Sequence, residues 1–149
     1  MDIRVQELEF DAGVELARFT AASRSAGAIV TFTGIVRDTP NGDLDRMEIE
    51  HYPGMTERAL GEIAQKARTR WDLSNLLILH RFGDLKAGET IMMVATASRH
   101  RVAAFEAAEY LMDYLKSRAP FWKKEFTKSG ATWVASKRDD EDALNRWKP

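Results

Sequence analysis

Two nearly unbroken apolar stretches, Leu76 to Phe82 and Glu89 to Ser98, flank the turn-forming segment Gly83-Asp84-Leu85-Lys86-Ala87-Gly88. A strand with one wet face alternates apolar and polar residues, and these do not, so both read as strands buried on both faces. A chain that contains them must cover both sides of one sheet. The neighbouring segments offer the covering layers. Pro53 opens a helix in which Leu60, Ile63, Ala64, Ala67 and Trp71 share a face. Directly after Ser98, Ala104, Ala108, Leu111 and Leu115 line a second long helix, with Phe105 and Met112 beside them, until Ala119-Pro120 stops it.

The rest of the chain reads as shorter pieces. Ile3 to Phe10 is a strand whose phase slips once, and Asp11 caps a short helix carrying Val14, Ala17 and Ala21. Ala28 to Val36 is dense in β-branched residues, and Asp38 to Asp43 supplies turn chemistry for a return strand, Leu44 to His51. Trp122 to Phe126 and Ala131 to Ala135 form a hairpin around Lys128-Ser129-Gly130, and 139–149 is a charged tail of open order. Helices placed between hairpins predict an α+β sandwich of mostly antiparallel sheet, and 149 residues predict one domain over 1–149.

Composition narrows the function. There is no cysteine, which removes thiol nucleophiles, disulfides and cysteine-ligated zinc or iron-sulfur sites, so any sulfur chemistry takes its sulfur from another molecule. The formal net charge of −1 gives no overall field toward nucleic acid or a membrane surface. Neither a signal peptide nor a membrane-length apolar run is legible, and the expected location is the cytoplasm. The glycines fall singly at turns, so no nucleotide-phosphate loop can be assembled from them.

Three segments carry candidate chemistry. Lys116, Arg118, Lys123, Lys124 and Lys128 crowd around the single carboxylate Glu125. They form either a solvated helix end or a pair of convergent lysines, Lys116 and Lys123, on one anion. Ser98-Arg99-His100-Arg101 sits where a strand hands over to a helix N-terminus, a corner suited to phosphate or carboxylate, or else a simple cap. Phe32-Thr33-Gly34-Ile35-Val36-Arg37 ends a strand at an arginine, with Gly34 marking either a bulge or a close approach. No His, Asp or Glu spacing builds a metal site, and His51 and His80 read as structural. The residues alone support a pocket for a small anion, leaving open a basic strip that stacks single-stranded RNA on Phe121, Trp122 and Phe126. A subunit that only docks a partner's tail is also left open.

Taken together, Phe32 to Arg37, Leu44-Asp45-Arg46-Met47-Glu48-Ile49-Glu50-His51-Tyr52, and Met112 through Glu125 resemble the large, catalytic subunit of molybdopterin synthases, with a likeness running from Ile3 to Trp147. The resemblance implies an α/β hammerhead fold and a central homodimer. It also implies one small ubiquitin-like sulfur-carrier subunit at each end, a heterotetramer overall. The implied reaction converts cyclic pyranopterin monophosphate (precursor Z) to molybdopterin, with two sulfurs arriving as the carrier's C-terminal thiocarboxylate and no cofactor or metal. By the same resemblance Lys116 and Lys123 match the catalytic lysines, and Arg37, His100 and Arg101 grip phosphate and pterin. Ile35, Val36, Lys124 and Glu125 line the pocket, which is completed across the dimer. Lys137 stands where the family pattern has an arginine, and a lysine lacks the bidentate fork, which bears on anion binding by Lys137 and Arg138.

Overall fold

The computed structural model describes residues 1–135 and 138–148. In chain order the elements are β1 (Asp2–Gln6), α1 (Ala12–Ala21), β2 (Ala28–Ile35), β3 (Arg46–His51), α2 (Met55–Trp71), β4 (Asn75–Arg81), β5 (Gly83–Leu85), β6 (Thr90–Ser98), α3 (Arg101–Ser117), β7 (Phe121–Thr127), β8 (Gly130–Trp133) and α4 (Arg138–Leu144), followed by a 3-10 turn at Asn145–Trp147. They form two four-stranded sheets, ordered β1-β4-β6-β2 and β5-β3-β7-β8. Among the described residues only β1 and β4 pair in parallel, and every other pairing is antiparallel. The expected α+β fold of mostly antiparallel sheet is the one observed.

The two apolar strands sit at the centre of the first sheet, and their side chains divide by parity. Leu76 and Ile78 of β4, with Met92 and Val94 of β6, face a core built from Leu60, Ile63, Ala64 and Ala67 of α2 and Ala107, Tyr110 and Leu111 of α3. Leu77 and Leu79, with Met93, Ala95 and Ala97, face the other way onto Phe19 of α1 and Ile29. Met47, Ile49 and Leu85 extend the first core beneath the second sheet.

Several boundaries differ from the sequence reading. The first strand ends at Gln6, and Leu8 lies exposed beyond it, so there is no slipped phase to explain. β2 and β3 do not form a hairpin: β2 pairs with β6, whereas β3 pairs with β5 and β7 in the other sheet. The turn at Asp38 to Asp43, held by Asp38 and Thr39 side chains, carries the chain from one sheet to the other. Inside the segment read as the β4–β6 turn, Gly83–Leu85 is itself a strand, and Gly83 adopts φ +92°, a conformation that favours glycine. The charged end of the chain is folded as α4 and the turn after it. Leu144 and Trp147 are buried there, and the Trp147 indole donates to Asp113 Oδ2 at 2.6 Å. Among the described residues no helix is long and apolar enough to cross a membrane.

Candidate active site

The C-terminal end of α3, the end of β2 and the inner face of β7 converge on a cleft between the two sheets. Parity along β7 decides which side chains reach it. Phe121, Lys123 and Glu125 face inward, and Trp122, Lys124 and Phe126 face outward. A cavity of about 270 Å³ is walled by Phe32, Gly34, Ile35, Met92, Met112 and Leu115, with Thr33, His80, Lys116 and Lys123 as its polar members. A wider cavity of about 530 Å³ shares Ile35, His80, Lys116 and Lys123 and adds Arg37, Met47, Phe121, Glu125 and Asp140. The two are one continuous cleft, apolar at the β2 end and charged at the β7 end.

Lys116 is exposed at the last turn of α3, while Lys123 is half-buried against β3, opposite Ile49. Burial, then the positive charge of Lys116, lowers the Lys123 ammonium from its ordinary 10.5 to about 8, with Asp140 acting against them. The neutral amine is therefore accessible near neutral pH, as general acid-base work requires.

His80 is the residue that the sequence reading treated as structural and the fold places in the cleft. Its ring lies on Phe121, centroids 3.7 Å apart and planes at 14°, and its Nδ1 is 2.7 Å from the Arg81 carbonyl oxygen. Burial, followed by the nearby Lys123, lowers its pKa to about 3, so the ring is neutral. The signal was present in the parity of β4, since residues 76, 78 and 80 share the face that meets α3. Asp140 was missed for a similar reason. It precedes Leu144 by four and Trp147 by seven, a helical face hidden in a run of charge. His51, by contrast, is engaged by Thr56 Oγ1 at 3.0 Å and packs against Phe82.

The other expected residues scatter. A register shift between Gly34 and Ile35 turns Ile35 into the cleft and sends Val36 into the core, where it is 1% exposed. Gly34 thus marks the bulge of the two readings offered for it, and a Cβ there would meet the Met92 side chain, Cγ and Sδ at 3.2 and 3.3 Å, on the cleft wall. Lys124 lies on the outer face of β7, its ammonium 5.0 Å from the Trp133 ring centre and 5.5 Å from that of Phe126. The aromatic and basic strip considered for RNA is accordingly split between two faces of the sheet. His100 and Arg101 stand at the opposite end of α3, and a rise of 1.5 Å per residue puts Arg101 roughly 22 Å from Lys116. Within one chain they do not share a ligand with the lysines. His100 holds the N-cap position without a side-chain cap bond, and Ser98 Oγ donates to the His100 carbonyl. Arg138 is exposed at the start of α4, and Lys137 lies outside the described residues. Among the described residues, no group of three His, Asp or Glu could hold a metal ion.

Residues 5–118 match the sequence profile of the MoaE protein family. The chain belongs to the MoaE family. It is 60% identical over 147 residues to the molybdopterin synthase catalytic subunit of Cereibacter sphaeroides, a match covering 99% of this chain and all of that one. The solved MoaE protein of Burkholderia ambifaria superposes with a TM-score of 0.82 at 46% identity, covering 99% and 98% of the two chains. A Helicobacter pylori chain, solved in a complex of subunits 1 and 2 of molybdopterin-converting factor, shares the fold at 20% identity and a TM-score of 0.77, covering 91% of each chain. The profile match covers α3 and Lys116 but ends at Arg118, before Lys123, whereas the match to the Cereibacter relative spans both.

Proposed function

We propose that this MoaE-family chain is a molybdopterin synthase catalytic subunit that works as a sulfurtransferase, converting cyclic pyranopterin monophosphate to molybdopterin. Each of two sulfurs is delivered as the thiocarboxylate on the C-terminal glycine of a small ubiquitin-like carrier. The observation that carries this reading is the convergence of Lys116, Lys123, Arg37 and Glu125 on a cleft whose other end is apolar. The absence of cysteine agrees with it, because the catalytic chain has no sulfur nucleophile of its own.

When sulfur leaves the carrier's acyl carbon, a water oxygen must replace it, and the addition passes through an oxyanion. Lys116, exposed at the cleft mouth where an extended tail can enter, stabilises that charge or donates a proton. Lys123, deeper and close to neutrality, holds the pterin substrate and exchanges protons with it. Arg37 offers a fork to the phosphate, and Ile35 and Glu125 complete the wall. His100 and Arg101 act on the cleft of a second copy, which makes the working unit a homodimer with one carrier at each end. The exposed apolar residues Phe32 on edge strand β2 and Val102 and Phe105 on α3 favour such an assembly. Arg138, exposed at the start of α4, and Lys137 are assigned to anion binding, as the family resemblance implies.

Reconstitution tests the reading. Purified chain, precursor Z and thiocarboxylated carrier together are expected to give molybdopterin, detected as its fluorescent oxidised derivative, and omission of any one to give none. Product formation without the chain, or none with all three, contradicts it. A docking-only subunit would instead tolerate Lys116→Gln and Lys123→Gln with full product.

A further inference from the structure

We propose that His80 is a ligand-contacting residue of this site, its Nε2 accepting a hydrogen bond from an N–H of the pterin. This rests on the cleft being the pterin site, as set out above. The geometry first fixes which nitrogen carries the hydrogen. The carbonyl oxygen of Arg81 can only accept, so Nδ1, 2.7 Å away, is the donor. A neutral imidazole has one N–H, and the ring is neutral because burial, Lys123, His51 and Lys116 all oppose its protonation. Nε2 is therefore a bare lone pair.

That lone pair is unused among the described residues. His80 is only 4% exposed, yet among the described residues nothing bonds to Nε2. Nor is the atom sealed away, since among the described residues the buried side-chain polar atoms without a partner are Arg4 Nε and Ser117 Oγ. His80 borders the cleft, and with Nδ1 engaged by the Arg81 carbonyl, Nε2 is the ring nitrogen left for a ligand there. The stack on Phe121 and the bond to Arg81 leave the ring no freedom to turn away, so the acceptor is preorganised. The ligand chemistry follows. A phosphate oxygen brings acceptors and is served by Arg37 and the lysines, whereas a pterin edge brings ring N–H and amino donors. A neutral acceptor between two lysines selects the pterin edge.

Two variants separate contact from support. His80→Asn retains an amide N–H for the Arg81 carbonyl but does not reach the Nε2 position; His80→Gln places a carboxamide oxygen near it. In the reconstituted enzyme His80→Asn is expected to raise the KM for precursor Z roughly tenfold with kcat within about twofold. His80→Gln is expected to recover most of the loss, with melting temperatures of both close to that of the unaltered chain. An unchanged KM in His80→Asn, or a His80→Gln no better than His80→Asn, overturns the inference. A second readout needs no turnover: in chain labelled with 15N-histidine, saturating precursor Z should move the His80 Nε2 resonance upfield from its lone-pair position. If backbone amides around Lys123 shift while Nε2 does not, the pterin binds and the inference about His80 is wrong. If nothing shifts, the cleft is not a pterin site and both readings fall.

Discussion

The imidazole of His80 rests flat on the ring of Phe121, 3.7 Å between centroids. His80 closes the apolar run of β4 in the first sheet, and Phe121 begins β7 in the second, two residues before Lys123. The contact joins the sheets at the point where the site is built. It also explains how a strand that is otherwise core delivers a polar group to the cleft: parity carries the same face from Leu76 and Ile78 out to His80.

Lys123 makes the site dependent on pH in a definite direction. Its folded pKa of about 8 lies below the ordinary 10.5, so holding the proton costs folding stability below pH 8. That cost fades between pH 8 and 10.5, as the unfolded chain loses the same proton. Lys123→Met is expected to be more stable than the unaltered chain at pH 7 by about 1–3 kcal/mol, with the gap closing toward pH 10.5. Urea unfolding of both proteins across that range measures it. A gap that stays constant with pH contradicts the assignment.

The end of the chain is a structural element rather than a tail. Trp147 packs edge-on against Trp71 and Tyr110, with centroids 5.5 Å away in each case, and donates to Asp113. Trp147→Ala is expected to cost about 3–5 kcal/mol and lower Tm by about 10 °C, read by calorimetry. A shift of only a degree or two would show that α4 is not anchored through this side chain.

Gly34 keeps the apolar end of the cleft open. Gly34→Leu adds a side chain against Met92, whose flexible end can yield, so the fold should survive with Tm changed by only a few degrees. The added volume occupies the cavity, and the affinity for the thiocarboxylated carrier's tail is expected to drop about tenfold or more in titration calorimetry. Unchanged binding would place the tail elsewhere.

The separation of His100 and Arg101 from Lys116 yields a test of the assembly. If the site forms across a dimer, Lys116→Ala and Arg101→Ala chains are each inactive, but each mixed dimer regains one intact cleft. Unfolding and refolding the two together should restore about a quarter of the activity. No recovery in a mixture shown to exchange subunits would mean that these residues do not act across an interface.

The sequence showed the fold's centre well because parity and the 3.6-residue period act locally: β4, β6, α2 and α3 are each marked by their own apolar residues. It did not show which strands pair. Asp38 to Asp43 is good turn chemistry, and nothing local says whether β3 returns to β2 or crosses to β5 and β7. Lys116 and Lys123 were legible as a basic cluster, and the resemblance singled them out. Their meeting with Ile35 and Arg37 depends on the Gly34/Ile35 register shift, a tertiary feature. Val36 and Lys124 show the cost of reading a motif as a contiguous wall, since the register shift after Gly34 sends one to the core and alternation along β7 sends the other to the outer face. His80 and Asp140 were hidden by company, one among core residues and the other among surface charge.

The role proposed for Lys116 at the carrier's acyl carbon is the centre of the proposed mechanism, and single-turnover sulfur transfer by Lys116→Ala tests it most directly. With carrier binding and Tm unchanged, molybdopterin formation is expected to slow by at least about a hundredfold. Turnover near that of the unaltered chain, under the same saturation by carrier and precursor Z, would contradict it.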